Sequence, residues 1–136
     1  MLDDRCTDSS LLNMAKEYFK VSNFREIIDV VYSDTVNKDY IAGFASRVSA
    51  LAENGDFSSS AIIKNEALAF SETVKTLIAG LDVSPRLSLY GGVLKNNALF
   101  KEIFCAELEG SFDNITISIL ETPAEEGALK VAMKQR

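Results

Sequence analysis

The last third of the chain alternates strand-like and helix-like segments, and this alternation constrains the fold more than any other feature. The runs RLSLY (86–90) and ITISI (115–119) are short and rich in apolar or β-branched residues, as strands are. Apolar residues recur at helical spacing over 96–109, where Gly110 is expected to end the helix, and a last helix is expected from Pro123. Two strands joined by a crossover helix pair in parallel, so a parallel strand pair is predicted.

The first 85 residues are predicted to be helical. Gly55 is suited to end a helix in the left-handed conformation, and Asp56 to cap the helix that follows. Phe70, Phe100 and Phe104 lie on apolar stripes and are expected in the core. The four predicted helices cover about 11–19, 24–32, 38–54 and 57–80.

Two strands are too few for a stable parallel sheet, so either another chain completes the sheet or this chain is a piece of something larger.

Two of the seven glycines, Gly91 and Gly92, follow the first predicted strand directly. Ligands of open α/β sheets gather beyond the carboxyl ends of the strands, and ETPAEEG (121–127) falls at the same edge after the second strand. The bare backbone of two glycines lets a ligand approach closely. On local sequence alone a tight turn is the favoured interpretation, because the pattern is neither a Walker loop nor a GxGxxG fingerprint.

Composition narrows the classes of function. The chain has 136 residues and a net charge of −6, which argues against nucleic acid or an anionic membrane as a partner. It has no histidine, so imidazole-based triads and the usual zinc sites are absent. Cys6 and Cys105 match no metal spacing and are expected to be reduced thiols, Cys105 packed and Cys6 near the surface. No stretch has the length of a membrane span and no signal-peptide pattern is present, so a cytoplasmic protein is expected.

The segments LSLYGGVLKNNALFKEIFCAELE (87–109) and TPAEEGALKVA (122–132) resemble the C-terminal part of N-acetylglucosamine kinases and the related BadF/BadG/BcrA/BcrD-type ATPases. These proteins belong to the actin-like sugar kinase superfamily. Upstream, YIAGFASRVSALAENGD (40–56) resembles a helical segment that precedes the glycine turn in this family, and the resemblance covers nearly the whole chain from residue 11.

The resemblance implies an α/β fold that is the C-terminal part of a ribonuclease H-like domain. In this chain the fold would be mostly helical, with a short parallel strand pair at about 86–90 and 115–119 and an incomplete sheet. It implies one partial domain over 1–136. Within that domain, a helical segment (1–56) would precede a helix-strand-helix-strand-helix segment that binds the nucleotide (57–136).

The resemblance also implies a site for ATP or ADP. Gly91, Gly92 and Val93 match the adenosine-binding turn of the family, and Ala42 matches a helical position that lines the purine side of the pocket. With the family match, ligand binding becomes the favoured interpretation of the glycine pair. Ala42 and its neighbour Gly43 have close helix packing as an open alternative. Gly127 and Ala128 match small residues of the hinge helix, where packing of the helix near a strand is again an alternative.

The family's catalytic equipment does not occur in residues 1–136, because no DGGT-type phosphate turn is present. No catalytic residue is therefore assigned, whether the chain is an enzyme stays open, and the chain alone is expected to be inactive. Mg²⁺ and the sugar, expected to be an amino sugar such as N-acetylglucosamine, would bind only with an N-terminal lobe. The alternative is a non-catalytic interaction module or split subunit that pairs through its open sheet edge, as a homodimer or with a partner that supplies the missing lobe.

Overall fold

The computed structural model describes residues 9–34, 36–81 and 84–134, which form seven helices and two strands. The prediction of a mostly helical α/β chain with one short parallel strand pair is confirmed. The chain divides into two compact units, residues 1–66 and 67–136, with the boundary inside α4. In chain order the elements are α1 (Ser9–Phe19), α2 (Glu26–Val31), α3 (Lys38–Glu53), α4 (Phe57–Ala79), β1 (Arg86–Leu89), α5 (Gly92–Asn96), α6 (Ala98–Ser111), β2 (Thr116–Ile119) and α7 (Ala124–Lys134).

Local capping sets the ends of the helices in the first unit. The Asn37 side chain accepts a hydrogen bond from the backbone N–H of Tyr40 at the start of α3. Gly55 has φ +88° after α3, and Asp56 Oδ1 accepts the N–H of Ser59 at 2.8 Å at the start of α4, which confirms both predicted signals. Lys20 ends α1 with φ +55°, a conformation in which glycine or asparagine is the usual residue.

An aromatic cluster joins α1 to α3 in the first unit. The rings of Tyr18 and Tyr40 stack with their centroids 4.9 Å apart, and Phe19 and Phe44 pack against them. The Tyr18 hydroxyl donates to the backbone oxygen of Tyr40 at 2.7 Å, and the Tyr40 hydroxyl donates to the backbone oxygen of Tyr18. A Cβ built on Gly43 would lie 2.6 Å from the Tyr18 hydroxyl, so α1 packs closely against α3 at this glycine.

The second unit is built on the parallel strand pair. Arg86 of β1 is in register with Thr116 of β2, and Leu89 with Ile119. The core cluster of this unit consists of Leu89, Phe104 and Leu108, and Ala67 and Ile78 are buried as well. Because side chains alternate along a strand, β1 and β2 turn polar residues to the other face, which is exposed. The partly buried residues around this core are Val74, Leu87, Leu94, Phe100, Cys105, Phe112, Ile115 and Ile117.

Three details differ from the predictions. Gly110 does not end α6, which continues to Ser111 and gives way to extended backbone at Phe112, because glycine tolerates helical angles as well as left-handed ones. The short helix α5 was not predicted, since five residues are too few to show helical periodicity. Phe70 stacks on Phe104 with centroids 5.0 Å apart but is 43% exposed, so it covers the core rather than lying within it.

No helix among the described residues is long and apolar enough to span a membrane.

Candidate nucleotide-binding turn

The glycine pair lies directly beyond the carboxyl end of β1, and its two members differ in what they require. Gly91 has φ +113° and ψ 163°, a region of backbone conformation that residues with a Cβ rarely adopt. Gly92 is the first residue of α5, and a Cβ there would meet only the Asn96 side chain, at 3.9 Å. The backbone conformation therefore requires glycine at position 91, whereas neither strain nor crowding within the described structure requires it at position 92.

Local backbone hydrogen bonds and one apolar side chain hold the turn in place. The N–H of Lys95 donates to the Gly91 oxygen at 3.1 Å, and the N–H of Asn97 donates to the Val93 oxygen at 2.9 Å. Asn97 also caps α6, because its side-chain oxygen accepts the N–H of Phe100 at 2.9 Å. Leu94 packs on the core cluster of the second unit. The turn, α5 and the start of α6 thus form a connected piece of structure.

The side chains that the turn presents to solvent are an aromatic ring, a cation and an aliphatic group. Tyr90 and Val93 are each 53% exposed. The ammonium of Lys95 lies 4.9 Å from the centroid of the Tyr90 ring, within the range of a cation–π interaction. Sequence analysis missed this pair; the available signal was an aromatic residue before the glycines and a lysine shortly after them.

The turn that follows β2 lies at the same edge of the sheet. The N–H of Leu120 donates to the Leu89 oxygen at 2.8 Å, which joins the carboxyl ends of the two strands. Glu125 and Glu126 stand in the first turn of α7, where acidic side chains interact favourably with the helix dipole. Glu126 also forms an ion pair with Lys130 at 2.8 Å. Within the described ranges, no group of three His, Cys, Asp or Glu residues is placed to hold a metal ion.

The structure brings together three of the four residues predicted to bind the nucleotide. Gly91, Gly92 and Val93 are consecutive and form the turn of the second unit. Ala42 is exposed on α3 in the first unit, so its predicted contact with the purine stays a prediction. Its neighbour Gly43 packs closely against Tyr18, as expected if close helix packing explains this pair of small residues.

The small residues of the last helix have no close neighbours among the described residues. A Cβ built on Gly127 would meet nothing within 4 Å, and Ala128 is exposed. Helix α7 has no buried residue, and the apolar side chains of Leu129, Val131 and Met133 are exposed. Close packing of Gly127 on a strand, the structural alternative for this residue, is therefore not observed.

Two titratable groups outside the turn have shifted pKa values. Hydrogen bonds to Glu72, at 2.9 Å, and to Glu107, at 3.0 Å, raise the pKa of Lys75 above its usual value. Burial raises the pKa of the half-buried Cys105 thiol above its usual value. Cys105 was expected to be packed and is partly buried against the core cluster, whereas Cys6 lies outside the described residues.

No family model, curated protein or solved structure matches the chain.

Proposed function

We propose that the chain is the nucleotide-binding C-terminal portion of an ATP-dependent sugar kinase of the N-acetylglucosamine kinase type. The observation that best supports this proposal is the turn at Gly91, which has a conformation suited to glycine and lies at the carboxyl edge of two parallel strands. Ligands of open α/β sheets bind at this edge. Assignment of the fold to the ribonuclease H-like class, and of the protein to the cytoplasm, is part of the same proposal.

In the proposed role, the chain binds the nucleotide through its adenosine side and takes no part in phosphoryl transfer. Phosphoryl transfer needs a metal ion, an in-line acceptor and a residue that orients the nucleophile. The described residues hold no metal-binding group, and the sequence has no glycine-threonine phosphate turn. An N-terminal lobe would supply the Mg²⁺ site and the sugar site. Without that lobe, the chain binds ATP or ADP and does not turn it over.

Replacement of Gly92 gives a direct test, because the backbone at this residue does not require glycine. Gly92→Leu adds a large side chain at the turn, and its Cβ would have no neighbour closer than 3.9 Å. We expect isothermal titration calorimetry to detect weak ADP binding by the full chain and none by Gly92→Leu. Gly110→Leu is the control, because Gly110 lies in α6 and a Cβ at this position would meet nothing within 4 Å.

Two results would contradict the proposal. The first is no binding of ADP to the unaltered chain at millimolar concentration. The second is equal binding by Gly92→Leu and the unaltered chain, because the ligand would then lie away from the turn. Far-ultraviolet circular dichroism of both variants checks that the fold is retained.

A second candidate function is self-association through the sheet, and the exposure of β2 supports it. Ile119 and Leu120, at the carboxyl end of β2, are 43% and 41% exposed, and an exposed strand is a common pairing edge. If β2 pairs with a second copy, light scattering should report a dimer that Ile119→Lys converts to a monomer. A monomer at all concentrations for the unaltered chain would exclude this function.

A further inference from the structure

The surface beside Gly91 carries the positive charge of Lys95, which lies against an aromatic ring. The Lys95 ammonium lies over the Tyr90 ring, and the Lys95 backbone is hydrogen-bonded to the Gly91 oxygen. In the sequence, Tyr90 directly precedes the glycine pair and Lys95 follows it. Within the described part of the chain, Lys95 forms no ion pair with a carboxylate. Its charge is available to a ligand.

The first charged side chains after β2 at this edge of the sheet are carboxylates. Glu121, Glu125 and Glu126 follow β2, and among residues 84–134 only Glu126 of these three has a cationic partner, Lys130. Arg86, the cation of β1 itself, is at the opposite end of this four-residue strand, about 10 Å from Leu89 along the backbone. Lys95 is thus the cationic side chain within residues 90–97, and the group at the glycine turn that would attract an anion.

We infer that Lys95 binds the phosphate chain of the nucleotide, so that the turn binds nucleoside phosphates more tightly than nucleosides. This inference rests on the nucleotide-binding function proposed above. A lysine ammonium is a compact charge with three donors and suits a phosphate oxygen. Tyr90 holds the ammonium beside the turn, and Tyr90 and Val93 offer apolar surface to the base and ribose.

The test compares adenosine with ADP on the full chain. One solvent-exposed ion pair at contact distance is expected to make ADP bind about threefold to fivefold more tightly than adenosine at low salt. The preference should decrease as the salt concentration rises, since salt screens exposed charges. Calorimetric titrations with the two ligands, without Mg²⁺, measure the ratio of the two dissociation constants.

Variants of Lys95 and Tyr90 locate the source of the preference. Lys95→Met should bring the ratio of dissociation constants to about one, and Lys95→Arg should retain the preference. Tyr90→Leu should weaken binding of both ligands. Lys134→Met, which removes the same charge from the last turn of α7, is the matched control and should behave like the unaltered chain.

The outcomes separate this inference from the function on which it rests. If the unaltered chain binds adenosine and ADP equally, or if Lys95→Met keeps the full preference, the role of Lys95 is wrong and the nucleotide-binding proposal stands. If neither ligand binds the chain, both are wrong. A preference for ADP that disappears in Lys95→Met and persists in Lys134→Met supports both.

Discussion

The close approach of Gly43 to the Tyr18 hydroxyl predicts that Gly43→Ala destabilises the unaltered chain but stabilises the Tyr18→Phe variant. A Cβ at position 43 would lie 2.6 Å from the hydroxyl oxygen, and ordinary contact begins at 3.4 Å. In Gly43→Ala the hydroxyl must retreat by about 0.8 Å, which stretches its hydrogen bond to the Tyr40 oxygen to the limit of a bond. The next carbon of the Tyr18 ring is 3.8 Å away and is not crowded.

Three free energies set the expected result. Loss of the hydrogen bond costs about 1 kcal/mol, and crowding in a packed interface costs about 1 kcal/mol more. Alanine favours the helix over glycine by about 1 kcal/mol. Gly43→Ala should therefore destabilise the unaltered chain by about 1 kcal/mol. In a Tyr18→Phe background the crowded oxygen is gone, and the same substitution should stabilise by about 1 kcal/mol.

The effects of Gly43→Ala in the two backgrounds should differ by about 2 kcal/mol. Urea unfolding, followed by circular dichroism, measures this difference on the unaltered chain, the two single variants and the double variant. Gly110→Ala is the control: this exposed helical glycine has no neighbour within 4 Å, so alanine should stabilise both backgrounds equally. If Gly43→Ala stabilises the unaltered chain as much as it stabilises Tyr18→Phe, the hydroxyl does not lie over Gly43 and the reasoning fails.

Two further predictions concern buried and charged groups. Ser59 is fully buried and its hydroxyl has no hydrogen-bond partner within the described residues, so Ser59→Ala should stabilise by about 1 kcal/mol in urea unfolding. Ser71 is equally buried, but its hydroxyl donates to the oxygen of a residue one turn earlier at 2.8 Å, so Ser71→Ala should not stabilise; equal effects would contradict the assignment. The raised pKa of Lys75 means that the folded chain holds this proton more tightly than the unfolded chain. The contribution of Lys75 to stability is therefore full below pH 10.5 and is lost as pH rises through the folded-state pKa. The difference in unfolding free energy between the unaltered chain and Lys75→Met should shrink as the pH is raised from below 10.5 to above it, and a constant difference would show that Glu72 and Glu107 do not hold the ammonium.

Features with a local cause were predictable from the sequence. Gly55 and Asp56 act within one helical turn of their own positions, so their roles could be deduced from neighbouring residues alone. The parallel strand pair followed from chirality and connectivity, which need only the order of the elements. The end of α1 at Phe19 was predicted, but the left-handed conformation of Lys20 was not, because a lysine in that region departs from the usual residue preference.

Contacts between distant parts of the chain were not predictable. The hydrogen bonds between Tyr18 and Tyr40 join residues 22 positions apart, and no local pattern specifies such a pair. The same holds for Gly43, whose small size is explained by a ring on another helix. At the candidate site, the sequence located Gly91 and Gly92, but only their backbone angles distinguish the glycine that the turn requires from the one that it does not.

The parallel strand pair also bears on the order in which the second unit folds. Pairing Arg86 with Thr116 closes a loop of about 30 residues, at an entropic cost of about 3 kcal/mol. Four residues in each strand provide few hydrogen bonds to offset this cost. Prior packing of α6 through Phe104 and Leu108 shortens the segment that remains free. We therefore expect the strands to pair only after that helix has docked, so amide protons of the strands should exchange no more slowly than those of α6.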